Sequence, residues 1–307
     1  MKEISRKEEN DMSEMSEFVR TNFAKGDDER DRGLTTPADV VRFDDIVYGQ
    51  DPKWQSLDVY RPAGHEGEKL PVIVSVHGGG WVYGDKERYQ FYAMNLAERG
   101  FAVVNFNYRL APEVKFPASL EDTNAVFAWV LAHAEEYGFD TKNIFAVGDS
   151  AGGHNLMMFM ALCTDPGYAE AFPFKAPEGF VPRAIALNCA AVLVRMSDRE
   201  EDVFFTGLMK DYLPEGGSER EQRLIHTLDY VSEAFPPVFV MTAQEDFLKA
   251  DAMAVSEKLL EKNVPFVFRF YRDAEEKLGH VFHLNMRSKA AALCNDEECR
   301  FFKSLLA

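Results

Sequence analysis

Short, unbroken runs of apolar residues recur along the chain, at Pro71–Val76, Phe101–Phe106, Ile144–Val147, Ala184–Leu187, Pro237–Met241 and Val264–Phe270. Each is rich in β-branched or aromatic side chains and too short for a buried helix. Apolarity at every position, rather than every second one, means that both faces are covered, as in a parallel sheet with helices on each side. Between the runs lie segments of helical periodicity, roughly Arg88–Arg99, Leu120–Tyr137, Gly152–Cys163, Met253–Lys262 and Ala290–Leu306. Strands alternating with helices of this length predict repeated βαβ units and an α/β fold. Two half-buried strands are expected earlier, around Val41–Tyr48 and Leu57–Tyr60, separated by the turn residues Gly49-Gln50-Asp51-Pro52.

Two segments depart from this rhythm. Residues 1–36 are a charged, polar N-terminal arm, within which Met15, Phe18, Val19 and Phe23 recur at helical spacing. They predict a turn or two of amphipathic helix able to dock on the body, and make the arm a candidate part of a cap. Residues 37–307 are expected to form the main domain, with an insertion at about 191–236. That insertion carries Phe204, Phe205, Leu208, Met209, Tyr212 and Leu213, then the flexible Pro214-Glu215-Gly216-Gly217. A long connection at a strand end is where a cap over a site would sit; a surface excursion packed on the sheet edge is the alternative.

Charge narrows the partners. A net charge of −17 repels phosphate backbones and anionic lipid, so neither nucleic acid nor a membrane is expected as a partner. No stretch approaches the roughly 20 apolar residues of a membrane span. The first 32 residues contain no apolar signal region, and a cytoplasmic location is expected. Cys163, Cys189, Cys294 and Cys299 form no Cys-x-x-Cys pair and no zinc-like spacing, so they are expected to be reduced, mostly buried thiols. No metal or organic cofactor is predicted.

The chemistry concentrates in two glycine-rich turns. In Ile144-Phe145-Ala146-Val147-Gly148-Asp149-Ser150-Ala151-Gly152-Gly153, a buried strand runs into a tight turn and then a helix. Small residues at 148 and 152 let strand and helix backbones approach closely, and Ser150 is forced into a strained conformation that projects its hydroxyl above the sheet. The helix start behind it aims free N–H groups at any oxyanion formed there. The second turn, His77-Gly78-Gly79-Gly80-Trp81, follows Pro71–Val76, and its glycines leave backbone N–H groups unshielded.

These motifs, with Gly84-Asp85, Tyr108-Arg109-Leu110-Ala111-Pro112-Glu113, Phe116-Pro117-Ala118 and Gly148–Gly153 in order, resemble the hormone-sensitive-lipase-like esterase branch of the α/β-hydrolase fold, close to bacterial carbohydrate and phenolic-acid esterases. The resemblance covers roughly residues 40–300 and implies a mostly parallel central sheet flanked by helices, with a small cap. It implies ester hydrolysis through an acyl-enzyme and a Ser-His-Asp triad, with Ser150 as nucleophile and the N–H groups of Gly79, Gly80 and Ala151 as oxyanion hole. Thr242–Leu248 resembles the family's Asp-x-Leu segment and points to Asp246 as the acid; Glu245 is the competing residue, one position earlier and facing the other way. Gly279-His280-Val281-Phe282 resembles a His-Gly-Phe turn with valine for glycine and points to His280 as base, with His283 the alternative. His154 is expected to bond locally, and His65, His133 and His226 to be surface or structural groups. The order Ser150, Asp246, His280 fits this fold.

The expected substrate is a small-molecule carboxylic ester of short acyl chain, walled by Trp81, Tyr83 and Phe282, with cap residues Phe204, Phe205, Leu208 and Met209 beside them. Trp54–Pro62 resembles a segment of carbohydrate-directed members, so an acetylated sugar or a feruloyl-type ester is an alternative. Amide or formamide hydrolysis, and ligand binding without catalysis on the same scaffold, are the readings from other classes.

Overall fold

The computed structural model describes residues 12–196 and 203–307. Its strands are β1 (Val40–Val47), β2 (Ser56–Pro62), β3 (Leu70–Val76), β4 (Ala102–Phe106), β5 (Phe139–Asp149), β6 (Ala184–Asn188), β7 (Val238–Ala243) and β8 (Phe266–Tyr271). They form one sheet in the order β1-β2-β4-β3-β5-β6-β7-β8. β1 and β2 pair antiparallel, and β2 joins β4 antiparallel; every pairing from β4 to β8 is parallel. The apolar runs thus became the parallel strands; of the two strands expected to be half-buried, β1 is the exposed antiparallel edge, whereas β2 is buried from Ser56 to Arg61 because β1 and β4 flank it.

Ten helices connect them among the described residues: α1 (Glu14–Asp31), α2 (Lys86–Ala97), α3 (Ala118–Ala132), α4 (Ala134–Tyr137), α5 (Ser150–Thr164), α6 (Pro166–Ala169), α7 (Val203–Tyr212), α8 (Glu219–Ile225), α9 (Lys249–Glu261) and α10 (Lys289–Lys303). Alternation within each strand divides the core. Val72, Val74, Ala146 and Val240 face the layer of α3, α5 and α9, whereas Ile73, Phe145, Val147 and Phe239 face α2 and α10. Burying such residues on both sides supplies the main drive for folding, at roughly 25 cal/mol per Å² of apolar surface.

Three further expectations change. The single helix expected over Leu120–Tyr137 breaks at His133, whose ring stacks on Trp129 at 4.4 Å and caps α3 through its main chain. β8, expected to be covered on both faces, is the sheet edge: it pairs only with β7, and Phe270 is half exposed. The 191–236 insertion contains helices α7 and α8, which the aromatic composition alone did not resolve; residues 197–202 and the side chain of Phe204 lie outside the described part.

The arm carries α1, an 18-residue helix capped by the Ser13 side chain, which accepts from Ser16 N–H. Val19 is fully buried, Met15 and Phe23 pack on the core, and Phe18 is exposed. The helix is pinned at both ends. Asp211 of α7 accepts from Ser13 N–H (2.9 Å), Ser13 Oγ (2.7 Å) and Ser16 Oγ. Further along, Arg20 donates to the Val82 and Ala111 carbonyls and pairs with Glu113, and Arg287 donates to the carbonyls of Arg30 and Arg32. The longest helix among the described residues is among the least apolar, and polar pins rather than a broad apolar face hold it down.

Candidate active site

Four neighbouring strands end side by side, and the residues just past their carboxyl ends build the site, the usual place for it in an open parallel sheet. β5 stops at Asp149 and α5 starts at Ser150 without a loop between them. Ser150 sits at φ 49°, a left-handed conformation disfavoured for a residue with a side chain. The strain is held by backbone bonds on both sides: Ser150 N–H donates to Cys189 O at 3.2 Å, and Ala191 N–H donates to Ser150 O at 3.0 Å. The elbow tolerates no bulk. A methyl group on Gly152 would run into the carbonyls of Val76 and His77, and one on Gly148 would lie 2.7 Å from Gly152 O.

His280 follows β8 and Asp246 follows β7. Their side chains meet at 2.7 Å between Nδ1 and Oδ1. Asp246 is buried, and its carboxylate also accepts from the Thr242 hydroxyl (2.6 Å) and from Leu248 N–H (3.0 Å). Burial alone would raise its pKa; the His280 ring, the Thr242 hydroxyl and the Leu248 N–H outweigh that and hold it down at about 2. Glu245, one residue earlier, is exposed, while its N–H bonds to Leu278 O. His283 is buried edge-on against Tyr92, and burial lowers its pKa to about 3; neither ring nitrogen has a partner among the described residues. Of the competing residues, the structure joins Asp246 to His280.

Val281 adopts φ 52°, left-handed and strained for a β-branched residue. That conformation is the one a glycine would take without cost, which accounts for the departure from His-Gly-Phe as a strained substitution rather than a shift of the turn. Trp81 (φ 64°) and Cys189 (φ 48°) bring to four the strained non-glycine residues around the site.

Across the cleft, Gly79 and Gly80 have φ 116° and 62°, and no protein partner is recorded for their N–H groups, or for that of Ala151, among the described residues. Gly78 differs: its N–H donates to the Tyr89 hydroxyl (2.9 Å), which in turn donates to Asp149 Oδ2 at 2.7 Å. This relay ties the glycine turn to the elbow, and neither Tyr89 nor Asp149 was singled out by sequence pattern. Burial pushes the Asp149 carboxyl up to about 7, against the Tyr89 hydrogen bond and the Arg30 charge. His77 is buried beneath, stacked on Tyr108 at 4.0 Å, and burial lowers its pKa to about 4.

The cleft above Ser150 has a volume of about 300 Å³ and is lined by Gly79, Tyr83, Phe247, His280, Val281 and Leu284, together with Asn22, Phe23, Gly26 and Asp27 of α1. Phe247 lies against the His280 ring at 4.2 Å. The Tyr83 hydroxyl donates to Asp27 Oδ2 at 2.7 Å, fixing one wall to the roof. Two of the three expected wall residues lie elsewhere. Trp81 is buried, donating through Nε1 to His154 Nδ1 (3.2 Å) and stacking on Tyr212; Phe282 is buried against Tyr271. Aromatic content marked both as wall residues, but their backbones aim them into the core. Leu208 and Met209 are core residues too. His154, expected to bond locally, instead bonds across the fold: it accepts from Trp81 at Nδ1 and donates through Nε2 to Ile225 O at 2.7 Å, because its ring leaves α5 toward the glycine turn and α8. The only side-chain group of metal-binding type among the described residues is Cys189, Asp246 and His280, whose donor atoms lie within 4.8 Å of one another.

An elbow serine at the end of β5, an eight-stranded sheet of this order and a facing glycine turn define an α/β-hydrolase. The BD-FAE family model matches residues 57–261, and the chain belongs to that family, within the hormone-sensitive-lipase-like branch. It is 35% identical over 130 residues to the esterase LipC of Mycobacterium tuberculosis, covering 42% of this chain and 32% of that protein. It is 28% identical over 225 residues to the versiconal hemiacetal acetate esterase of Dothistroma septosporum, covering 67% and 66%. The chain thus spans between about a third and two thirds of these curated relatives. Among solved structures, esterase B of Lactobacillus rhamnosis with a C4-C4 tributyrin phosphonate superposes with a TM-score of 0.84 at 25% identity, over 95% of each chain. No helix among the described residues is long and apolar enough to cross a membrane.

Proposed function

We propose that the protein is a serine carboxylesterase that hydrolyses short-chain carboxylic esters through an acyl-enzyme. The observation that carries this reading is the His280–Asp246 pair, 2.7 Å apart, on the cleft that also holds the elbow serine. His280 accepts the Ser150 hydroxyl proton at Nε2 while Oγ attacks the ester carbonyl carbon. Asp246 fixes the proton on Nδ1 and stabilises the imidazolium. The carbonyl oxygen gains its negative charge facing Gly79, Gly80 and Ala151 N–H; one such donor is worth roughly 3 kcal/mol in the transition state. His280 then returns the proton to the leaving alcohol, and water enters by the same base to free the acid.

The cleft volume and its apolar walls, Phe23, Tyr83, Phe247 and Leu284, support a small, neutral ester. A relative named for an acetate ester and a neighbour holding a C4 phosphonate fit the same size class. Helix α1 acts as the cap, with Asn22, Phe23, Gly26 and Asp27 contributing the roof; the described part of the 191–236 insertion lines none of the cleft and braces α1 through Asp211. Trp54–Pro62 runs into β2 outside the cleft lining, so the carbohydrate-like segment lends the sugar-ester alternative no support.

The test is hydrolysis of p-nitrophenyl acetate, with longer chains, acetylated xylo-oligosaccharide, methyl ferulate and a matched amide alongside. Ser150→Ala should lose all ester turnover while melting as the wild type does. Full turnover by the variant would refute the reading.

A further inference from the structure

The mechanism leaves one buried nucleophile unused. Cys189 follows β6 beneath the site, fully buried, in a left-handed conformation that few side chains adopt. Its Sγ, an Asp246 oxygen and a His280 ring nitrogen lie within 4.8 Å of one another. The thiol donates to Met241 Sδ at 3.8 Å, and burial, with the Asp246 charge beside it, raises the thiol's pKa. The three donors come from the loops after three adjacent strands, so the sheet preorganises them before any ligand arrives.

Thiolate, imidazole and carboxylate are the ligand types that hold zinc in tetrahedral sites, and the sulfur biases the set toward thiophilic ions. A tetrahedral ion spaces its nitrogen and oxygen ligands roughly 3.3 Å apart, following from bond lengths near 2.0 Å. The 2.7 Å His280–Asp246 pair must therefore open slightly. His280 can supply that movement, because it is the member of the three that lines the cleft, which is also the ion's route inward.

We propose that Cys189, Asp246 and His280 form an inhibitory site for a thiophilic divalent cation of the zinc group. Binding releases one proton, from the Cys189 thiol, while the single ring proton of neutral His280 transfers from Nδ1 to Nε2 and leaves the Nδ1 lone pair to the ion. The fourth ligand is water from the cleft. With Nδ1 on the metal, the ring's one proton sits on Nε2, where the mechanism needs a lone pair. The base is thereby held in the wrong tautomer, and Ser150 loses its proton acceptor. The inhibitory half of this proposal rests on the esterase reading above; the binding half does not.

Cadmium titrated into the full chain tests both halves. Binding is read from the ultraviolet thiolate-to-metal charge-transfer band, and inhibition from p-nitrophenyl acetate turnover, each variant being compared with its own metal-free rate. In the wild type, band and inhibition should grow together and saturate at one equivalent, with zinc competing. Cys189→Ser should remove the band and weaken inhibition at least about tenfold, since losing even an outer-shell partner of a metal ligand costs that much. Cys189→Ala is the second variant, and Cys163→Ser, altering a half-buried thiol on α5, should retain both signals. No band in the wild type, or a band and inhibition that survive both Cys189 variants, overturns the site. A Cys189-dependent band in a protein that cleaves no ester keeps the site and defeats the esterase reading instead.

Discussion

The floor and the roof of the cleft are built by different physics. The floor hangs on the ends of β5, β6, β7 and β8, where Ser150, Cys189, Asp246 and His280 follow adjacent parallel strands. Its strained residues stay strained because backbone hydrogen bonds and close-packed glycines leave no alternative. The roof is α1, a mainly polar helix held by Asp211, Arg20, Arg287 and the Tyr83–Asp27 bond. Sheet ends fix the relative positions of Ser150, Asp246 and His280, whereas a pinned helix can differ in sequence or position without disturbing them. Substrate choice is therefore expected to reside in α1, and rate in the floor.

The strongest way to break that division is steric. Gly152→Val puts branched carbon into the carbonyls of Val76 and His77, so the floor itself fails; no folded protein should be recovered in the soluble fraction, as judged by far-ultraviolet circular dichroism. Asp246→Asn leaves the packing but removes the tautomer control, and kcat should fall on the order of 10⁴-fold with the melting temperature within a few degrees. At the roof the signature should invert. Asp211→Ala removes the acceptor of three hydrogen bonds that hold the start of α1. KM for the longer p-nitrophenyl esters should rise roughly fivefold while kcat stays within about twofold, the scale of a hydrogen bond or two.

A smaller effect lies under the floor. Glu298 of α10 is buried, accepting from Tyr92 (2.9 Å) and Asn188 (2.6 Å), and burial raises its carboxyl from 4.5 to about 7. Between those values the native protein keeps a proton that the unfolded chain has released. Its contribution therefore costs nothing below pH 4.5 and grows as pH climbs to 7. Glu298→Gln removes that titration, so the variant's stability relative to wild type should improve by roughly 2–3 kcal/mol across this window, read by urea denaturation at several pH values.

Legibility followed locality. Ser150 and the glycine turn could be found because strand, turn and helix are encoded within ten consecutive residues, and Asp246 and His280 because their motifs sit just past apolar runs. Asp246 over Glu245 follows from alternation at a strand end, which the structure repeats as one buried and one exposed carboxylate. Trp81 and Phe282 were misplaced because an aromatic near a site reads the same whether it lines a pocket or fills a core. Tyr89 meets Asp149 across 60 residues, and Cys189 meets Asp246 only through neighbouring strands, so no local pattern announces either. The roof was visible only as four apolar residues at helical spacing; that they close over Ser150 is a tertiary fact.

The central claim, that Ser150 is the nucleophile which His280 activates, is tested most directly by tryptic mass spectrometry after a fluorophosphonate probe. The account predicts one adduct, on the peptide carrying Ser150, forming in the wild type, strongly slowed in His280→Ala and absent in Ser150→Ala. Labelling at another residue, or at an unchanged rate without His280, would contradict it.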